Sequence, residues 1–343
     1  MQAPPEPDAN LPSGLGALLL AAGTALAVAL AAPPGTGLAL ALVAGGLMLV
    51  AVGWGNLLAR ALGTRLAPES AALPGIVLLA HALALPSMLA GPLPLAALPV
   101  LALGLAGLWP RREAAGGLAG WLVLAAALGF AALWAADSGA RYATFLTGGP
   151  LRLWSDSFIH AGTIAEFGDP RAIGRGSTSL SDTPRVLYHA GSHALAGLAV
   201  RLTGVAPLDA LAGFWIPLGA VLMMLGVVAL GRALAGWAGA ALAVAGLALL
   251  PDAAAYGLRN GFLSFHWMLE VSPGSLYGLG AALGSIALLM AWVREGGGAR
   301  LTLSALLLLG VFLLRAHIFV WALVPWAATL WWALPWPGRR LRL

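Results

Sequence analysis

Lysine and cysteine do not occur in this 343-residue chain, and charged side chains make up only 9% of it. Without cysteine there are no disulfides, thiolate metal sites or cysteine nucleophiles, and the redox compartment is left undetermined. Without lysine, the positive side of the formal +5 charge is carried by arginine alone. Charge is also too scarce to cover the molecule in water. With 60% hydrophobic residues and a mean hydropathy of +0.90, the chain reads as a polytopic membrane protein of the all-α class. The arginines are scattered among apolar spans, so no nucleic-acid partner is expected. No arginine precedes Arg60, and the Pro-rich, acidic start MQAPPEPDANLPSG lacks the basic opening of a cleaved signal peptide, so the first span is expected to be retained. There is no convincing internal repeat. The dominance of Ala, Leu, Gly and Arg matches a GC-rich bacterial genome.

Apolar runs occur at 13–32, 38–58, 71–90, 93–109 and 115–135. Each is near the roughly 20 residues that cross a hydrocarbon core as a helix. The links at 59–69 and 110–114 carry Arg60, Arg65, Arg111 and Arg112, whereas 33–35 and 91–93 carry no charge. The positive-inside rule then puts the N-terminus and the arginine links in the cytoplasm, and an outer loop at 137–189. Beyond it, 190–204 either crosses the membrane or lies along its outer surface. The second choice lets 209–231 run inward to Arg232, 236–251 outward, 274–293 back to Arg294 and Arg300, 301–315 outward and 318–334 inward to Arg339, Arg340 and Arg342. It keeps the later arginine links inside, for about ten transmembrane helices. The expected division is an N-terminal four-helix region, 1–114, and a core, 115–343, in a cytoplasmic (inner) membrane of the cell envelope. Gly45, Gly46, Gly219 and Gly226 read as helix-packing sites. Trp321, Trp326, Trp331, Trp332 and Trp336 read mostly as an interfacial aromatic belt.

The segment from Arg152 to His193 is the only long polar stretch. Trp154–Phe167 has the mixed pattern of a short interfacial helix, GDPRAIGRGSTSLSDTPR that of a loop, and Tyr188–Leu202 turns helical again. Asp156 and His160 stand four residues apart, as do His189 and His193 and, further on, His266 and Glu270; in a helix each pair shares a face. Asp156 is expected to be partly buried. Glu166, Asp169 and Asp182 read as loop and interface solvation, and His81, alone in an apolar span, as a helix-to-helix hydrogen bond. Arg315 and His317 interrupt the apolar run LLRAHIFVW, where an ionisable group is costly enough to suggest function, although Arg315 can also snorkel to the interface. Arg259 in GLRNGF is a second guanidinium suited to phosphate. No metal site is expected: His189 and His193 lack an evident third ligand, and there is no DxD pattern around Asp156.

The order of WSDSFIHAGTIAEFGDP, a polar loop and YHAGSHALAGLAVRLTG, followed by a span ending at an arginine, resembles the membrane glycosyltransferases of the GT-C superfamily over residues 115–334. Five spans precede the reactive loop here, where many relatives have one. The resemblance implies a polyprenyl-phosphate-sugar donor, an acidic residue on a first juxtamembrane helix, matched by Asp156, and a second juxtamembrane helix, matched by 188–203. Such a transfer needs a base for the acceptor hydroxyl and cationic groups for the leaving phosphate. Asp156 is the candidate catalytic base, acting with inversion. The candidate substrate contacts are His160, Tyr188, His189, His193, Arg259, His266, Glu270, Arg315 and His317. No cofactor is called for, and the acceptor, whether glycan, lipid or protein, is open. A transporter or flippase of lipid-linked sugars would place charges near the bilayer midplane, whereas these group at one face. An outer-face glycan polymerase or ligase would share the arginines and histidines.

Overall fold

The computed structural model describes residues 14–90, 97–108, 117–150, 156–168, 191–249 and 272–334. Its regular elements are eleven helices, and no strand occurs among the described residues. They are α1 Gly14–Ala31, α2 Gly37–Ala61, α3 Pro68–Ala90, α4 Ala97–Ala106, α5 Gly117–Leu146, α6 Ser157–Gly168 and α7 Gly191–Thr203. There follow α8 Pro207–Leu249, α9 Pro273–Glu295, α10 Gly298–Leu314 and α11 Ala316–Ala333.

Seven of these helices, α1, α2, α3, α5, α8, α9 and α11, are long and apolar enough to cross a bilayer, and the chain is a multi-pass membrane protein. Two others fall short of the expected spans: α4 has 10 residues and α10 has 17, against the roughly 20 a crossing needs. Packing follows membrane rules. Leucines such as Leu38, Leu42, Leu118 and Leu242 are exposed, while alanines fill the core, because small residues let helix backbones approach. A Cβ on Gly226 would lie 2.6 Å from the Gly280 carbonyl oxygen, so α8 and α9 meet backbone to backbone there. Gly219 lies against the Tyr277 ring and Gly45 against Ala21. Gly46 is a correction: it is exposed with nothing near it, because the α2 face that meets α1 carries Gly45 instead. Helix α11 is mostly exposed, with Trp321, Trp331 and Trp332 on its surface, while Trp326 donates from Nε1 to Ser304 Oγ at 2.7 Å. Trp336 lies outside the described residues.

Helix α8 has two irregularities. Leu211–Trp215 forms a π-helical turn, and Ala235 and Gly236 leave helical geometry, Gly236 with φ of 65°. A Cβ on Gly231 would meet the Ala240 Cα at 2.7 Å, whereas nine residues of straight helix would separate them by about 13 Å. The chain therefore folds back directly after Arg232, and α8 is a hairpin of two legs. Arg294 closes the turn by donating to the carbonyls of Ala233 and Leu234. Arg232 pairs with Glu69 at 2.6 Å, and Arg300 with Glu295 at 2.6 Å, so the arginines of these links gather at one end of the bundle. The links at 110–114 and 339–342 lie outside the described residues.

The other end carries α6 and the start of α7. Helix α5 continues beyond the expected loop start at residue 137 as far as Leu146. Asp137 and Arg141 pair along its surface at 3.3 Å, and Tyr142 donates to Asp209 Oδ1 at 2.6 Å, so the added turns are held by α8. The short helix expected over 154–167 is α6. In the stretch 190–204, α7 has 13 residues, fewer than a crossing needs, and its first nine are buried.

Candidate functional site at one end of the bundle

Asp156 stands in the turn that begins α6, its backbone oxygen accepting from His160 N–H at 2.9 Å. Its side chain is exposed, not partly buried as the sequence suggests, because it precedes the first turn and projects off the packed face. Glu166 is the converse correction. It is only 4% exposed, since α7 and the start of α8 cover that flank of α6.

One turn into α6, His160 reaches α7. Its Nδ1 lies 3.0 Å from Nε2 of His193, a residue 2% exposed in the first turn of α7. The two imidazoles stack with ring centroids 5.1 Å apart. Trp215, fully buried at the end of the π turn, lies against both, 5.0 Å from His160 and 4.6 Å from His193. Tyr277 continues the stack at 5.8 Å from Trp215 and donates its hydroxyl to the Trp215 carbonyl at 2.7 Å. A π turn widens the helix by one residue and re-aims its side chains, and here it delivers Trp215 to the histidine pair.

Arg315 enters from the corner between α10 and α11, where its backbone is extended. Its Nη2 donates to Ser272 Oγ at 2.9 Å and its Nε to Ser275 Oγ at 3.3 Å, the two hydroxyls themselves 2.6 Å apart. His317, exposed, has Nε2 at 3.3 Å from Ser275 Oγ. Pro273 opens α9, so the guanidinium sits at the N-terminal end of a 23-residue helix. The charge and the helix dipole add there, and the potential favours an anion.

These groups form one electrostatic neighbourhood around His160. Burial, and then the Arg315 charge, lower its pKa to about 4, and the Asp156 carboxylate only partly opposes them. His160 is therefore neutral at neutral pH, so one imidazole of the pair donates and the other accepts. Of the ten residues singled out in the sequence, Asp156, His160, His193, Arg315 and His317 come together. Tyr188, His189, Arg259, His266 and Glu270 lie outside the described residues. Sequence reasoning missed Trp215, Ser272, Ser275 and Tyr277. Only Ser272 carried a signal, standing before the Pro273 that starts a helix. The aromatic pair looked like ordinary span residues.

His81 is also corrected. Its Nδ1 bonds the Val77 carbonyl of its own helix at 2.6 Å, and its buried Nε2 has no hydrogen-bond partner among the described residues. Gly191 at the start of α7 packs beside that nitrogen, where an added Cβ would lie 3.3 Å from it. Among the described residues no three His, Asp or Glu side chains group as metal ligands. The chain matches no family model, no curated protein and no solved structure.

Proposed function

We propose that the chain is an inverting membrane glycosyltransferase that moves a sugar from a polyprenyl-phosphate donor to an acceptor at the outer face of a bacterial cytoplasmic membrane. On this reading about ten segments cross the bilayer in a GT-C-like arrangement, α6 and α7 are the juxtamembrane helices, and the N-terminus is cytoplasmic. The observation that carries the proposal is that an exposed carboxylate, Asp156, and a guanidinium, Arg315, both act on the same imidazole, His160, at one end of the bundle. A base and a phosphate-binding cation are the two groups the reaction needs.

In the reaction, Asp156 takes the proton of the acceptor hydroxyl as its oxygen bonds to the anomeric carbon. The bond from that carbon to the phosphate oxygen breaks, and the polyprenyl phosphate leaves with the electron pair. Arg315, oriented by Ser272 and Ser275, stabilises the charge that develops on it. Gathering the polar groups at one end favours this reading over a transporter, whose site lies between the two faces.

The test is transfer from polyprenyl-phosphate sugars in liposomes, with donor binding measured separately. Asp156→Asn keeps the size and polarity of the side chain but removes the basic oxygen. Donor binding is expected to persist while turnover falls by about 10²–10⁴-fold. Transfer at the parent rate by Asp156→Asn would remove Asp156 from the mechanism. A parent protein that moves lipid-linked sugar between leaflets without transferring it would overturn the enzyme reading.

A further inference from the structure

The opposite end of the bundle holds a second polar cluster, which the proposed reaction does not use. Helix α9 alone separates the two by about 34 Å, from 23 residues at about 1.5 Å each. At this end Arg65, Arg232, Arg294 and Arg300 line a cavity of about 300 Å³ together with Glu295, and Glu69 pairs with Arg232 behind it. With Glu69 counted through its pair with Arg232, four positive and two negative side chains leave the cluster a formal charge of +2. Ala229, Ala287 and Leu288 give it an apolar wall.

The carboxylates are already engaged. Glu69, 1% exposed, pairs with Arg232, and Glu295 pairs with Arg300. Arg294 is bound by backbone carbonyls, which orient it without neutralising it. Arg65 is exposed in the link between α2 and α3 and has no hydrogen-bond or ion-pair partner among the described residues. The positive-inside rule accounts for arginines on this side, but not for four of them facing one recess between helices. A basic recess with an apolar wall at the edge of a bilayer matches a phosphate headgroup, because guanidinium forks fit phosphate oxygens and the wall accepts the carbon portion.

We propose that this recess binds a phosphate ester, held by Arg65 and Arg294 at its mouth and supplied either by an anionic phospholipid headgroup or by a soluble phosphate ester. The site is independent of the transferase reading, and its test does not use transfer activity. The full chain in neutral detergent is titrated with phosphatidylglycerol, phosphatidylcholine or glycerol 3-phosphate while its thermal midpoint is followed. A saturable rise with phosphatidylglycerol alone supports the site and assigns the lipid source. An equal rise with glycerol 3-phosphate at the same concentration supports it and assigns the soluble source. Arg65→Gln should keep the unliganded midpoint, because no hydrogen bond or ion pair among the described residues is lost, and weaken the apparent affinity by about tenfold or more. Equal responses to phosphatidylglycerol and phosphatidylcholine, or an Arg65→Gln titration superimposed on the parent's, would overturn the proposal.

Discussion

His160 and His193, 33 residues apart in the chain, meet through ring nitrogens 3.0 Å apart, and this contact ties α6 to α7. Neither helix is long enough to stand alone in water or at an interface: α6 has 12 residues and α7 has 13. The imidazole pair, stacked on Trp215, anchors both to the π turn of α8 and sets where Asp156 stands relative to Arg315.

That arrangement makes stability depend on acid. The pKa of His160 is lowered to about 4 by burial and by Arg315, against 6.5 in an open chain. Between those values the unfolded state binds a proton that the folded state refuses, so stability is full above pH 6.5 and falls as pH drops toward 4. The loss attributable to this group is about 2–3 kcal/mol. Thermal midpoints from pH 8 to 4 should fall more steeply for the parent than for His160→Gln. Parallel curves would show that the imidazole is not held neutral.

Arg315 gives a separate prediction. On the proposed transferase reading, Arg315→Ala should weaken binding of a polyprenyl-phosphate sugar by roughly 10- to 100-fold, the range of a lost hydrogen bond to a charged group. Arg315→Lys should recover only part of it, since a point charge cannot hold Ser272 and Ser275 in the same fork. Donor binding to detergent-solubilised protein checks both, and full affinity in Arg315→Ala would free this residue from the phosphate.

Two glycines on apolar helices should behave in opposite ways. Gly226→Val puts a branched side chain where the Gly280 backbone already lies, with a cost of about 1–3 kcal/mol or more. Gly46→Ala faces open space and should change stability by less than about 0.5 kcal/mol. Paired thermal unfolding in one detergent distinguishes them, and equal effects would contradict the α8 to α9 contact.

Much of the architecture is legible in the chain itself. Hydropathy determines that most helices are long and apolar, and the spacing of arginines anticipates the reversal after Arg232. Both are local properties: a backbone in lipid must satisfy its own hydrogen bonds, and positive charge resists translocation. The polar segment identifies Asp156, His160 and His193 by the same local logic, because polar groups are rare in such a chain. The exposed state of Asp156 and the burial of Glu166 are different in kind. Both depend on which flank of α6 is covered by α7, a helix that begins 23 residues after α6 ends.

Composition and charge spacing by themselves determined a multi-pass helical membrane protein, with Asp156, His160 and His193 of the candidate site in one polar segment. Tertiary structure decided which of those side chains meet. Trp215, Tyr277, Ser272 and Ser275 enter the site from α8 and α9 and the turn before α9; apart from Ser272, which stands before the helix-opening Pro273, nothing in their own neighbourhoods marks them as more than span filling. Their roles follow from a π turn that rotates Trp215 inward and from the corner that brings Arg315 onto the start of α9. Such contacts between distant segments are set by how helices pack, and a helix's own sequence records its period and its polarity but not its neighbours.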